Sequence, residues 1–267
     1  VQEHRPERAH LVPPILVAMG KSPLLDQYDL SSLKMILSAA APLGKETEEG
    51  VVKRIPDSRV KQAWGMSELS PIATMPTDDR FVSGSVGPVV ASTQAKILNP
   101  ETGKSLPPNE RGELMIRGPQ VMQGYLNQPE LNAISISSEG GWLRTGDIAY
   151  YDEDGFVYIC DRLKELIKVR GYQVAPAELE ALLLTHESIL DAAVIQVQDE
   201  QSGELPLACV VLKNNSTTTA QDIQQWVKER VAPYKRLEGG VVFVDSVPKS
   251  ASGKILRRQL RDVYGTK

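Results

Sequence analysis

Gln62-Ala63-Trp64-Gly65-Met66-Ser67-Glu68 decides how this chain is read. The stretch has the pattern of a strand running into a short helix, and its last two residues present a hydroxyl beside a carboxylate. Phosphate chemistry can use both: the Ser67 hydroxyl and neighbouring backbone N–H groups as donors, and the Glu68 carboxylate as a ligand for Mg²⁺. Taken alone, Ser67 reads equally well as a helix cap.

On the N-terminal side, Leu33-Lys34-Met35-Ile36-Leu37 is strand-like and Lys45 to Ile55 suits a helix after Gly44, which together make an α/β rhythm. On the C-terminal side, Gln94 to Leu98 and Glu113 to Arg117 alternate with Pro- and Gly-rich turns. They predict a β-rich subdomain in which a helix is hard to place. Ala149 to Tyr151 and Phe156 to Cys160 flank Asp152-Glu153-Asp154-Gly155, whose Asp-Gly pair suits a tight hairpin. That acidic turn lacks the length and terminal Glu of an EF-hand loop.

From Asp161 the pattern resets. Leu166 to Val169 and Tyr172 to Val174 predict a hairpin around Gly171, with a helix starting at Pro176, where a missing N–H has no intrahelical partner to lose. Strands are expected over Ile189–Val197, Leu205–Leu212 and Val241–Val244, and a helix over Ala220–Val231. The expected division is 1–161 and 162–267, an α/β part with a β-rich subdomain followed by a compact α+β unit.

Composition narrows the function classes. The 267 residues are 41% hydrophobic and 24% charged with a formal net charge of −4, so the basic field of a nucleic-acid binder is absent and no nucleic-acid partner is expected. Cys160 and Cys209 are far apart, with no Cys or His close by to complete a zinc cluster or disulfide framework, and both read as small buried hydrophobes. No apolar run approaches the roughly 20 residues of a membrane span, and the N-terminal stretch Val1 to Pro6 is unlike a signal peptide. The expected compartment is the cytoplasm, or the peroxisome if a C-terminal signal beyond Lys267 has been lost. A first residue of Val suggests a fragment.

Some apparent motifs fail. Gly20-Lys21-Ser22 resembles the end of a phosphate loop, but Ile15 stands where that loop requires Gly, so a helix end is expected. The glycosylation patterns at Asn214 and Asn215 read as a polar turn, and His4, His10 and His186 are isolated.

Three further segments hold together with 62–68. Ser38-Ala39-Ala40-Ala41-Pro42-Leu43 is a run of small residues after a strand, suited to close approach of a flat ligand or simply to a tight turn. Gly141 to Asp147, followed by Asp161-Arg162, offers a carboxylate able to accept from two vicinal hydroxyls at once; the alternative is an Asp147–Arg162 ion pair. The basic series Lys164 to Gly171 has the alternation of a strand's wet face, whereas Lys254 follows Ser-Gly in the loop from Pro248.

In this order, with Gly112-Glu113-Leu114, Ile116-Arg117-Gly118-Pro119 and Gly124-Tyr125-Leu126 between them, these segments resemble the adenylate-forming superfamily over essentially the whole chain. Lys164 to Lys168 followed by Val174 to Glu180 is similar to the acyl-CoA ligase and luciferase branch. The resemblance implies activation of a carboxylic acid by ATP and Mg²⁺ to an acyl-adenylate, then acyl transfer to coenzyme A. It further implies that Ala40, Ala41 and Pro42 wall the adenine, that Gln62 and Ala63 lie beside the nucleotide, and that Asp147 and Arg162 hold the ribose. Ser67 and Glu68 would serve phosphate and metal. Relatives often carry Gly at positions 39 and 63, where this chain has Ala.

By the same resemblance, Lys254 acts in adenylation and Lys168 in thioester formation, exchanged by rotation about a hinge at Lys164. Arg170, Gly171 and Gln173 would face coenzyme A, and relatives often have Lys at position 170. Ser70, Pro71 and Ile72 fall where relatives line the acyl pocket, so a hydrophobic or aromatic acid such as a hydroxycinnamate is expected.

The family's Ser/Thr/Gly-rich phosphate loop and part of its acyl pocket precede the segment at Ser38 and are not in this sequence. An N-terminal portion of the same enzyme is therefore the expected partner, and the 267 residues alone are expected to adenylate poorly. The alternatives are a non-catalytic nucleotide-binding or interaction module and a luciferase-type oxygenase.

Overall fold

The computed structural model describes residues 1–250 and 253–265. Ala251 and Ser252, in the loop before Lys254, and Thr266 and Lys267, the latter read for a targeting signal, lie outside the described residues. The chain divides into two compact units, Val1–Leu163 and Lys164–Lys267.

The first unit begins with β1 (Arg8–Leu11), α1 (Pro13–Lys21), β2 (Met35–Ser38), α2 (Lys45–Arg54) and β3 (Arg59–Gln62). The strands form a parallel sheet in the order β1-β2-β3. Parallel neighbours require a crossover, and α2 supplies it between β2 and β3. Acidic Glu46 and Glu48 in its first turn and basic Lys53 and Arg54 in its last complement the helix dipole. Leu16, Leu33, Ile36, Val51 and Val60 close this core. Gly20-Lys21 ends α1 and Ser22 caps it, so that segment is a helix end.

A short antiparallel pair, β4 (Trp64–Gly65) and β5 (Ile72–Thr74), leads into a four-stranded antiparallel meander. Its strands are β6 (Gln94–Leu98), β7 (Gly112–Arg117), β8 (Leu143–Tyr151) and β9 (Val157–Arg162). Leu69 and Ala73 pack with Ile97, Leu114, Ile116 and Leu143, which ties the 64–74 segment to the meander's core. The Asp152–Gly155 hairpin forms as expected, with Gly155 at φ +79°.

One element contradicts expectation: α3 (Pro129–Ser135) lies between β7 and β8. It buries no residue and leaves Ile134 68% exposed, so it has no apolar stripe from which a helical period could be read.

The second unit contains β10 (Ile167–Val169), β11 (Tyr172–Val174), α4 (Pro176–Leu184), β12 (Ile189–Asp199), β13 (Gly203–Leu212), α5 (Ala220–Lys228), β14 (Gly240–Phe243) and α6 (Arg257–Tyr264). Strands β12 and β13 form the long central hairpin, with β14 parallel to β13. Both faces of this sheet are buried. Val194, Ala208 and Val210 face one core with Leu179, Leu183, Ile223 and Val227, while Ala193, Ile195, Leu207 and Cys209 face another with Leu260. Burial on both faces explains why these strands read as near-continuous apolar runs. The β10–β11 turn has positive φ at Arg170 (+50°) and Gly171 (+84°), as a two-residue type I′ hairpin requires. Among the described residues no helix is long and apolar enough to cross a membrane.

Candidate active site

In the first unit, two of the sequence motifs begin where neighbouring parallel strands end. Ser38 and Gln62 are register partners, and the Ala63 N–H donates to the Ser38 carbonyl at 2.9 Å. Open α/β sheets bind ligands outside the carboxyl ends of their strands, and both motifs emerge there. The chain leaves β2 through Ala40 at φ +78°, a left-handed conformation uncommon without glycine. Ala40 and Pro42 are exposed, Ala41 is half-buried and Ala63 is buried.

Gln62 is buried, and its amide donates to Glu48 Oε2 at 3.2 Å; the Gly84 N–H donates to the same oxygen at 3.2 Å. Burial pushes the Glu48 carboxyl above the usual carboxylate range, outweighing these donors. The side-chain nitrogen of Gln62 is thus engaged within the fold.

Beyond Gln62 the backbone doubles back tightly. A Cβ on Gly65 would lie 1.9 Å from the Pro71 carbonyl oxygen, so only glycine fits. Ser67–Leu69 form a short 3₁₀ turn whose cap position is Met66, so Ser67 lies inside the turn rather than capping it. Ser67, Ser70 and Pro71 are exposed, while Glu68 and Ile72 are half-buried. Ser70 closes the turn at φ +55°.

Two long-range hydrogen bonds bring distant motifs to this segment. The Tyr125 hydroxyl donates to Glu68 Oε1 at 2.6 Å, and the Trp64 indole donates to Asp147 Oδ2 at 2.8 Å. The bond to Glu68 raises the Tyr125 phenol to about 12, so it stays protonated as a donor. Asp147 is buried, and Arg162 pairs with its other oxygen at 3.5 Å across the β8–β9 ladder. The ion pair therefore forms. It does not exhaust the carboxylate, which has about four acceptor directions.

Among the described residues no cluster of three or more His, Cys, Asp or Glu could hold a metal alone. Mg²⁺ usually takes one or two carboxylates and completes its shell with water and substrate phosphate, so a single half-buried Glu68 is a compatible donor.

In the second unit, Lys164 is exposed in the 3₁₀ turn Leu163–Glu165, and Arg261 pairs with the adjacent Glu165 at 2.6 Å. Lys168 projects from β10 as the exposed residue between buried Ile167 and Val169. Arg170 donates to Ser202 Oγ at 3.0 Å and to Glu238 Oε2 at 3.1 Å, while Gly171 and Gln173 are exposed. Lys254 is exposed, and its N–H donates to Ser250 Oγ at 3.2 Å. Just beyond it, Arg257 makes a two-pronged pair with buried Glu180 at 2.8 and 2.7 Å.

Trp64 and Tyr125 lie within the sequence motifs, but the sequence assigns neither a role, and it does not single out Glu48. The polar tip of each aromatic ring was the available signal, since a buried N–H or O–H needs a partner. The partners stand 83 and 57 residues away along the chain.

Residues 1–126 match the family model of the AMP-binding enzyme, and residues 178–254 match that of the AMP-binding enzyme C-terminal domain. A 4-coumarate–CoA ligase 1 from Glycine max is 49% identical over 269 residues, covering 98% of this chain and 90% of that one. The chain belongs to the AMP-binding enzyme family. Another relative of the chain is 4-coumarate–CoA ligase 2 from Nicotiana tabacum, 50% identical over 266 residues, which are 98% of this chain and 49% of the relative. The chain spans about half the length of that relative and of several others it matches. Among solved structures, ATP-bound MatB from Rhodopseudomonas palustris aligns with a TM-score of 0.88 at 29% identity, over 97% of this chain and 51% of that one. The anthranilate CoA ligase AuaEII, in complex with anthranoyl-AMP, aligns with a TM-score of 0.88 at 27% identity, over 98% and 51%. The α/β and α+β architecture is that of adenylate-forming enzymes.

Proposed function

We propose that this chain is the C-terminal portion of an ATP-dependent acid–CoA ligase whose substrate is a hydrophobic or aromatic carboxylic acid, such as a hydroxycinnamate. The carrying observation is the convergence in the first unit of four separated segments. The carboxyl ends of β2 and β3 lie side by side, Asp147 is bonded to Trp64, and Tyr125 is bonded to Glu68. The similarity to 4-coumarate–CoA ligases supports the same reading.

In this reading the acid's carboxylate attacks the α-phosphorus of ATP, pyrophosphate leaves, and the thiol of coenzyme A then displaces AMP from the acyl group. The first step joins two anions, so positioning and cationic stabilisation dominate it. Ala40, Ala41, Pro42, Gln62 and Ala63 line the adenine; Asp147 and Arg162 hold the ribose; and Ser67 donates to phosphate. Mg²⁺, when bound, neutralises phosphate charge, and Glu68 is the residue that would hold it. Ser70, Pro71 and Ile72 contribute to the acyl pocket.

Residues 1–161 act as the nucleotide-binding part and 162–267 as the small domain, with Lys164 as hinge. Lys254 serves adenylation and Lys168 thioester formation, while Arg170, Gly171 and Gln173 contact coenzyme A. The 267 residues alone carry the adenine, ribose and magnesium side of the site without the family's phosphate loop, so they adenylate poorly by themselves.

Pyrophosphate exchange with hydroxycinnamates and fatty acids tests this on the 267-residue chain and on a longer chain supplying the preceding family segment. Exchange only by the longer chain is expected. Robust exchange by the short chain overturns the inactivity, AMP binding without turnover of any acid by the longer chain favours a binding module, and light emission favours an oxygenase.

A further inference from the structure

We infer that Tyr125 is a positioning residue for the Glu68 carboxylate, and that Asn132 on α3 sets Tyr125 in place. This rests on the reading of Glu68 as the metal ligand.

A glutamate side chain has several rotatable bonds, and an unanchored one must lose that freedom when it takes up a cation. Here the Tyr125 hydroxyl ties Oε1 at 2.6 Å, while no hydrogen bond from a described residue reaches Oε2. The backbone is anchored as well, because the Met122 N–H donates to the Glu68 carbonyl at 2.9 Å. Glu68 therefore presents one tethered oxygen and one available oxygen from a fixed turn.

Tyr125 is itself held at two points. Its N–H donates to Asn132 Oδ1 at 2.6 Å, and its carbonyl accepts from Asn132 Nδ2 at 3.0 Å. Gly124 permits this approach: its φ is +146°, and a Cβ there would fall 2.8 Å from Asn132 Nδ2. Helix α3, which buries none of its own residues, thus has a purpose beyond packing. It carries the amide that places Tyr125, and Tyr125 orients Glu68. Partners that orient a metal ligand in this way commonly account for about 10–100-fold in metal affinity.

The test uses Mn²⁺ titrated calorimetrically into the 267-residue chain in the presence of AMP. Wild type is compared with Glu68→Gln, Tyr125→Phe, Asn132→Ala and the Tyr125→Phe/Asn132→Ala double variant, with thermal melting to confirm that each is folded. Tyr125→Phe is expected to weaken Mn²⁺ by about 10-fold or more. Asn132→Ala should weaken it too, and the double variant should lose no more than Tyr125→Phe, because both act through one path. AMP affinity measured without metal should not change. If wild type binds Mn²⁺ no better than Glu68→Gln, the metal-ligand reading fails and the inference with it. If Glu68→Gln loses binding while Tyr125→Phe retains wild-type affinity, only the inference is overturned. Additive losses in the double variant would also overturn it, by assigning Asn132 a separate structural effect.

Discussion

The Trp64 indole N–H donates to Asp147 Oδ2 at 2.8 Å, joining the segment after β3 to a strand of the meander 83 residues away. The bond satisfies a donor on a half-buried ring and one oxygen of a buried carboxylate. It fixes the orientation of the carboxylate proposed to hold the ribose.

Trp64→Phe removes this donor together with part of the indole's packing against the meander core. Hydrogen bonds to charged groups are worth about 1.5–3 kcal/mol, and that loss is expected in the urea unfolding free energy together with weaker AMP binding. Arg162→Ala should cost less, about 1 kcal/mol or under, because that guanidinium is half-exposed. Equal stability of Trp64→Phe and wild type would show that the bond is not formed in solution.

The buried Glu48 carboxyl makes stability depend on pH. Burial raises its pKa above the ordinary value of 4.5, so the folded chain holds this proton more tightly than the unfolded chain. The resulting stability is full below 4.5 and is lost as pH rises through the higher folded value. Glu48→Gln retains a carbonyl for both Gln62 and Gly84 and cannot ionise. Its melting temperature should exceed that of wild type at neutral pH and converge with it near pH 4. A constant difference across that range would contradict the assignment.

Half-buried Arg257, at the start of α6 just after Lys254, pairs with buried Glu180. Arg257→Ala leaves a buried carboxylate without its cation and should cost about 3–5 kcal/mol, read by chemical denaturation. The double variant Glu180→Leu/Arg257→Met should be clearly more stable than Arg257→Ala. Losses that simply add would exclude coupling between the two charges.

The exposed lysines separate the proposed half-reactions in a longer, active chain. Lys254→Ala should depress adenylate formation by on the order of 10²-fold while sparing thioester formation from supplied acyl-AMP, and Lys168→Ala should do the reverse. Pyrophosphate exchange and acyl-CoA release read the two steps separately. Equal loss of both steps in both variants would rule out a division of labour.

Much of the architecture was legible because local rules and tertiary packing agree. The β12–β13 runs are apolar on both faces and are buried on both faces; the Arg170–Gly171 turn shows the positive φ angles of a tight hairpin; and Pro176 begins α4. Where that agreement is weak, the sequence carries no legible signal. Helix α3 has no buried face, and β1 alternates only between exposed and half-buried residues, so neither leaves a strong hydrophobic period.

For the 62–68 segment, the sequence alone determined the residue types and their order: a small-residue approach, a hydroxyl beside a carboxylate, and a later Asp. Those are local properties, carried by side-chain chemistry and spacing. Only the tertiary structure decided that Trp64 meets Asp147, that Tyr125 meets Glu68 and that Gln62 meets Glu48. Hydrogen bonds between residues far apart in the chain depend on strand register and on how separate elements pack, and neither is encoded in any one segment.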